Sequence, residues 1–203
     1  MMSQRPLVFL LGLIQNGLRV RLWSWMVATS HEVFDYSRLA TYRGLLSVHL
    51  HSTSEPRAIW PAGFDLSQEA LKMGEYGKPY LANIAGIYFN KSDTVGATAI
   101  AVSQYVIGID IEKIKQFDTR IPERFFTPEE SKYILTADHV MRNERFSRVW
   151  TRKEAFVKWS GRGLSQDFRS FDVLRNPSFT TVKIKSFVLS VYCPSGMPAE
   201  TQE

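Results

Sequence analysis

Val106-Ile107-Gly108-Ile109-Asp110-Ile111-Glu112 is the stretch from which the rest of the chain is read. Side chains alternate across an extended strand, so Ile107, Ile109 and Ile111 share one face while Asp110 and Glu112 share the other. The isoleucine face belongs against a core. The acidic face sets two carboxylates side by side, and Gly108 leaves room for something to approach the backbone. Two like charges fixed on one side of a strand repel unless a cation or a base sits between them, which makes a hard divalent ion such as Mg²⁺ a natural occupant. A solvated strand face, with the carboxylates meeting water, Lys113 or Lys115, accounts for the same residues and is, on spacing alone, the commoner case.

Downstream of this strand, read over 105–112, Thr127-Pro128-Glu129-Glu130 supplies an N-cap, a proline at the first helical turn and a capping-box glutamate. A longer helix is predicted from about 142 to 160, stopped by Gly161, followed by strands over 171–175 and 182–192. Upstream, residues 86–90 and 97–102 read as short strands separated by a turn at Lys91-Ser92-Asp93. Leu39, Tyr42, Leu46 and Leu50 recur at helical spacing behind Asp35, predicting a helix over 35–50. The apolar run 7–14 reads as an opening strand, since it is interrupted by Gln15, Asn16, Arg19 and Arg21 well short of the ~20 residues a membrane span needs. The fold class expected is α+β: two pseudo-symmetric α/β halves, 1–104 and 105–203, joined near Gln104.

The 203 residues, 44% of them hydrophobic and 22% charged, suit a folded chain rather than a disordered one. Twenty-five Lys and Arg against 20 Asp and Glu leave a net charge of +5, which favours an anionic partner without naming it. The single cysteine, Cys193, asks for no oxidising compartment, so the cytoplasm is expected.

A second segment carries chemistry: Trp150-Thr151-Arg152-Lys153-Glu154-Ala155-Phe156-Val157-Lys158, inside the long predicted helix. At 100° per residue Glu154 lies about 40° from Trp150 and Lys158 about 40° further round, both at the edge of an apolar stripe that includes Phe146, Val149, Trp150, Phe156 and Val157. From an edge, a carboxylate and an ammonium can face a cleft against a neighbouring strand. Taken by itself, the segment more commonly forms an i,i+4 Glu-Lys pair on a solvated helix. Arg145, Arg148, Arg152 and Lys153 make the same helix strongly basic.

Residues 107–112 followed, about 40 residues later, by 150–158 resemble the paired signature of the 4′-phosphopantetheinyl transferases, in the two-half, surfactin-synthetase-activating (Sfp-like) subtype. Gly77-Lys78-Pro79 resembles the coenzyme A-binding turn of that family, Phe89-Asn90-Lys91-Ser92 its phosphate-side motif, and Arg124-Phe125-Phe126-Thr127-Pro128-Glu129-Glu130 the segment after its metal strand. The resemblance spans roughly 37–192. It implies Mg²⁺-dependent transfer of phosphopantetheine from coenzyme A to a serine of an acyl- or peptidyl-carrier protein, releasing adenosine 3′,5′-bisphosphate. By resemblance, Asp110, Glu112 and Glu154 hold the metal. Glu154 also acts as general base, Lys158 steadies the phosphate, and Arg43, Lys78, Pro79, Ser92 and Asp93 line the coenzyme. Lysine is the poorer base because its ordinary pKa of about 10.4 keeps it protonated. A carrier presenting an acidic helix would meet the basic helix 142–160, with Phe125 and Phe126 as an apolar platform. A monomer without nucleic-acid or membrane partners is expected.

Two departures stand against the pattern. Asp93 occupies the place where the family has histidine, and an ionised carboxylate at contact distance repels a phosphate by about 1 kcal/mol or more. Residues 1–34 show no resemblance, and the usual basic cluster upstream of the first helix is missing, with His31 its nearest substitute. A relative that binds coenzyme A or a carrier without transfer is therefore the alternative. A basic nucleic-acid-binding protein is a weaker one, since no recognised nucleic-acid motif is present.

Overall fold

Strand β6 (Gly108–Lys113), the core of the 106–112 stretch, lies at one end of an antiparallel sheet in the order β6-β8-β7, with β7 spanning Phe179–Ile184 and β8 Phe187–Tyr192. The computed structural model describes residues 45–50, 71–82, 86–103 and 105–194. A second antiparallel sheet, β1-β5-β4, joins β1 (Leu45–Leu50), β5 (Ala97–Ser103) and β4 (Tyr88–Thr94), and a small hairpin pairs β2 (Leu71–Met73) with β3 (Pro79–Leu81). Helices α1 (Arg120–Phe125), α2 (Pro128–Leu135) and α3 (His139–Ser160) lie between β6 and β7 in the chain. In each three-stranded sheet the first strand in sequence pairs with the last, and the last forms a hairpin with the middle one.

The isoleucine face behaves as its alternation predicts. Ile107, Ile109 and Ile111 are fully buried, in one cluster with Ala97, Ala99 and Ala101 of β5 and with Phe187, Leu189 and Val191 of β8. Each such side chain withdrawn from water contributes about 1.5–3 kcal/mol. Small alanines on alternate positions of β5 let the two sheets approach closely. A second core, rich in aromatic side chains, joins Phe126 and Tyr192 to Phe146, Val149 and Ala155 of α3.

Helix α2 begins as the sequence dictates: Thr127 Oγ1 accepts from the Glu130 amide, and Glu130 Oε2 accepts from the Thr127 amide at 2.9 Å. Glu130 goes further. It is fully buried, forms an ion pair with the equally buried Lys153 at 2.8 Å, and accepts from the Val173 amide at 2.8 Å. Lys153 donates in addition to the carbonyls of Phe168 and Phe171.

Four expectations are corrected. The helix expected over 35–50 is strand β1 over its described part, 45–50; Leu46 and Leu50, four apart, satisfy a two-residue period as well as a helical one, and pairing with β5 settles it. The expected turn at Lys91-Ser92-Asp93 lies inside β4, and the chain reverses at Val95-Gly96 instead. The single strand read over 182–192 is a hairpin that turns at Lys185-Ser186, with Lys185 at φ 53°, a conformation its sequence does not advertise. Residues 171–175 form no strand, their amides and carbonyls serving Glu130, Lys153 and Arg152. The strand read over 7–14, the first part of the 35–50 helix, and Gln104, Arg43 and His31 lie outside the described residues.

Candidate active site

Gly108 was expected to admit something close to the backbone, and that something is α3. A Cβ on Gly108 would stand 1.8 Å from the Ala155 carbonyl oxygen and 2.6 Å from the Trp159 nitrogen. The missing side chain lets the last turns of α3 lie directly on β6, which brings Glu154 and Lys158 to the acidic face of that strand.

On this face Lys158 Nζ donates to Asp110 Oδ1 at 2.7 Å and to Ser92 Oγ at 2.9 Å, while Ser92 Oγ donates to Asp110 Oδ1 at 2.7 Å. Lys158 thus pairs with Asp110 across 48 residues, not with Glu154 one turn back. Thr94 Oγ1 donates to Glu112 Oε2 at 3.1 Å. Asp110 is buried, and its Oδ2 has no hydrogen-bond partner. Burial raises the Glu154 pKa above its ordinary value, with Asp110 and Glu112 adding to the rise and Lys158 opposing it. Glu112 is raised in the same way, first by burial and then by Asp110. Asp110 therefore acts electrostatically on both glutamates.

The expected convergence of Asp110, Glu112 and Glu154 on one cation is not preassembled. Among the described residues no three His, Cys, Asp or Glu side chains form a ready-made metal cage. Lys158 occupies the acidic pole and Thr94 restrains Glu112, while mutual repulsion disfavours closer approach of the carboxylates. The donor set still suits Mg²⁺, which takes hard oxygens, needs only one or two carboxylates alongside phosphate, and keeps its waters. An unpartnered, buried Asp110 Oδ2 is the kind of atom such an ion would satisfy.

Ser92, expected beside a phosphate, also accepts from the Ile111 amide at 3.3 Å, and Asn90 Oδ1 accepts from the Ile109 amide at 3.0 Å. Side chains of β4 thus serve two amides of β6. Asp93, next along the strand, turns to the opposite face, where it pairs with Lys91 at 2.9 Å and accepts from Thr98 Oγ1 at 2.8 Å. The feared repulsion is offset locally by Lys91. Lys78 Nζ donates to the Trp159 carbonyl at 3.0 Å, and Pro79 opens β3 opposite Met73.

The expected basic face of α3 is largely engaged elsewhere. Arg145 donates to the Tyr133 carbonyl and stacks over its ring, Arg152 donates to Thr181, Val173 and Leu174, and Lys153 is fully buried. Phe126 belongs to the core, whereas Phe125 is 46% exposed with Arg124 over its ring. Sequence reasoning did not single out Thr94, or Asn90 as a partner of β6, although Asn90, Ser92 and Thr94 alternate on one strand face. The pairing of Lys91 with Asp93 was also missed.

Residues 106–187 match the family described as ACPS, the 4′-phosphopantetheinyl transferase superfamily. A 4′-phosphopantetheinyl transferase of Bacillus subtilis is 33% identical over 138 residues, 68% of this chain and 60% of that one. The 4′-phosphopantetheinyl transferase Sfp of Bacillus subtilis (strain 168) is 36% identical over 109 residues, 54% and 49% of the two chains. Psf-1 of Bacillus pumilus, also a 4′-phosphopantetheinyl transferase, is 38% identical over 95 residues, 47% and 41%. The chain thus spans between two and three fifths of the length of these relatives. A holo-[acyl-carrier-protein] synthase structure from Thermotoga maritima aligns at 22% identity and TM-score 0.34 over 42% of this chain and 60% of that one, too loosely for an element-by-element comparison.

Proposed function

Because the chain belongs to the 4′-phosphopantetheinyl transferase superfamily, with Sfp-like relatives, we propose that it moves the phosphopantetheine arm of coenzyme A onto a serine of an acyl- or peptidyl-carrier protein. The observation that carries this reading is the pole where Asp110, with one oxygen unpartnered, meets Ser92 and Lys158 beside Glu112 and Glu154. Four of these five residues, all but Ser92, fall inside the matched 106–187 region.

Asp110, Glu112 and Glu154 would hold Mg²⁺, which when bound supplies neutralisation of the pyrophosphate oxygens of coenzyme A. Glu154 takes the proton of the carrier serine; burial and the neighbouring Asp110 already increase its appetite for one. The serine oxygen bonds to the β-phosphorus, the bond from that phosphorus to the bridging oxygen breaks, and adenosine 3′,5′-bisphosphate leaves. Lys158, held at Asp110 and Ser92, balances the charge that develops on the phosphate beside them. Ser92, Pro79 and, outside the described residues, Arg43 line the coenzyme, with Asp93 beside them but held by Lys91.

The matching strand order of the two three-stranded sheets supports a pseudo-symmetric chain of halves 1–104 and 105–203. Among the described residues no helix is long and apolar enough to cross a membrane. The same reading takes the functional unit as a monomer acting in the cytoplasm. The test is direct: protein, coenzyme A, Mg²⁺ and a panel of apo carriers are incubated and the carriers weighed. Addition of one phosphopantetheine to any carrier supports transfer, and unchanged masses across the panel refute it.

A further inference from the structure

Lys78 follows the tight turn between β2 and β3, where the Gly74 amide donates to the Lys78 carbonyl and the Gly77 amide to the Gly74 carbonyl, both at 2.9 Å. Its side chain leaves this turn and runs to the far end of α3. There Nζ donates to the Trp159 carbonyl at 3.0 Å, 81 residues away in sequence. Lys78 Cδ also lies 3.7 Å from the point where a Cβ on Gly161 would stand, and the Tyr76 carbonyl oxygen 3.9 Å from the same point at Gly163. The hairpin therefore clasps the segment where the helix ends. Gly161, at φ 71°, closes that end by donating its amide to the Val157 carbonyl.

The carbonyl of Trp159 is one of the last four of α3, which have no acceptor role inside the helix and carry the negative end of its dipole. An ammonium is a suitable partner there. Burial lowers the Lys78 pKa to about 8, so this cation has given up water for its place. The contact matters for chemistry because of what precedes it: Lys158 is the adjacent residue, and the Trp159 nitrogen lies against Gly108. Displacement of the last turn would carry Lys158 away from Asp110 and Ser92.

We propose that Lys78 is a positioning residue, anchoring the last turn of α3 through the Trp159 carbonyl so that Lys158 is held at Asp110 and Ser92. This goes beyond the coenzyme contact expected for Lys78, and it rests on the transferase reading for its kinetic consequence. The test uses the whole chain with Lys78→Met, Lys78→Gln and Lys78→Arg, the glutamine variant serving if methionine prevents folding. Amide exchange over 156–161, measured without any substrate, accelerates about tenfold in the Met or Gln variant and returns toward wild type with Arg. In the transfer assay kcat falls by about 10- to 100-fold in the Met and Gln variants, in addition to any rise in KM that loss of the coenzyme contact brings, and Arg restores it. Unchanged exchange in the Met and Gln variants, or a tenfold rise in KM at constant kcat, overturns the proposal. If wild-type protein modifies no carrier, the transferase reading fails, and the exchange comparison alone still decides whether Lys78 anchors the helix.

Discussion

Lys158 Nζ sits 2.7 Å from Oδ1 of Asp110, while Oδ2 of the same carboxylate is buried without a hydrogen bond. One oxygen is held by the lysine and by Ser92, and the other is free for a ligand. Asp110→Asn keeps the shape but removes the charge. Transfer to an apo carrier should fall by about 100-fold or more, because a carboxylate that would hold Mg²⁺ beside the phosphate is lost. Far-UV circular dichroism should be unchanged, and wild-type turnover in this variant would remove Asp110 from the mechanism.

Glu154→Gln should abolish transfer and stabilise the protein. Folding raises the Glu154 pKa above 4.5, so the ionised carboxylate opposes folding at neutral pH. The folded state binds the proton more tightly, hence the penalty is absent well below pH 4.5 and appears as pH rises through the raised value. The variant should melt above wild type at pH 7.5, with the gain vanishing near pH 4. Equal melting temperatures at both pH values would contradict the electrostatic account.

Gly108→Ala should be among the most damaging single changes. Its Cβ would meet the Ala155 carbonyl oxygen at 1.8 Å and the Trp159 nitrogen at 2.6 Å, both backbone atoms that cannot yield by rotating a side chain. Urea denaturation should show a loss of about 3 kcal/mol or more, as for overpacking at a rigid contact. A loss below about 1 kcal/mol would mean that α3 moves off β6 easily.

Asp93→His tests the departure from the family pattern. Lys91 and Thr98 already hold Asp93 on the face of β4 turned away from Asp110, so its charge reaches the site weakened. KM for coenzyme A should change by no more than about threefold, and stability by less than about 1 kcal/mol for a pair still in reach of solvent. A tenfold drop in KM would instead place Asp93 against the coenzyme.

What could be read from the sequence was what local pattern dictates. The alternation of Ile107, Ile109 and Ile111 against Asp110 and Glu112 survives intact, as does the capping box of Thr127 and Glu130. The stop of α3 at Gly161 is equally local. Leu46 and Leu50 fit both periods, and only the neighbour β5 chooses between them. Lys185 takes a positive φ with no glycine or asparagine to signal the hairpin. Within the site, the residue types and their edge position on α3 were legible, but the partner of Lys158 was not. A sequence offers Glu154 at i−4, whereas the fold supplies Asp110 from another element. Lys153 looks like a surface cation until Glu130 and the 168–173 segment close over it.

The cover that Asn90 and Ser92 give to the Ile109 and Ile111 amides has a protective consequence. A strand at the end of a sheet ordinarily offers its unpaired amides as a template on which a foreign strand can add, the first step of edge-to-edge aggregation. Here those amides are already occupied by groups that cannot propagate a ladder, because a side-chain oxygen accepts without extending a backbone register. Loss of either side chain would leave a β6 amide buried without a partner, a cost of about 1–3 kcal/mol.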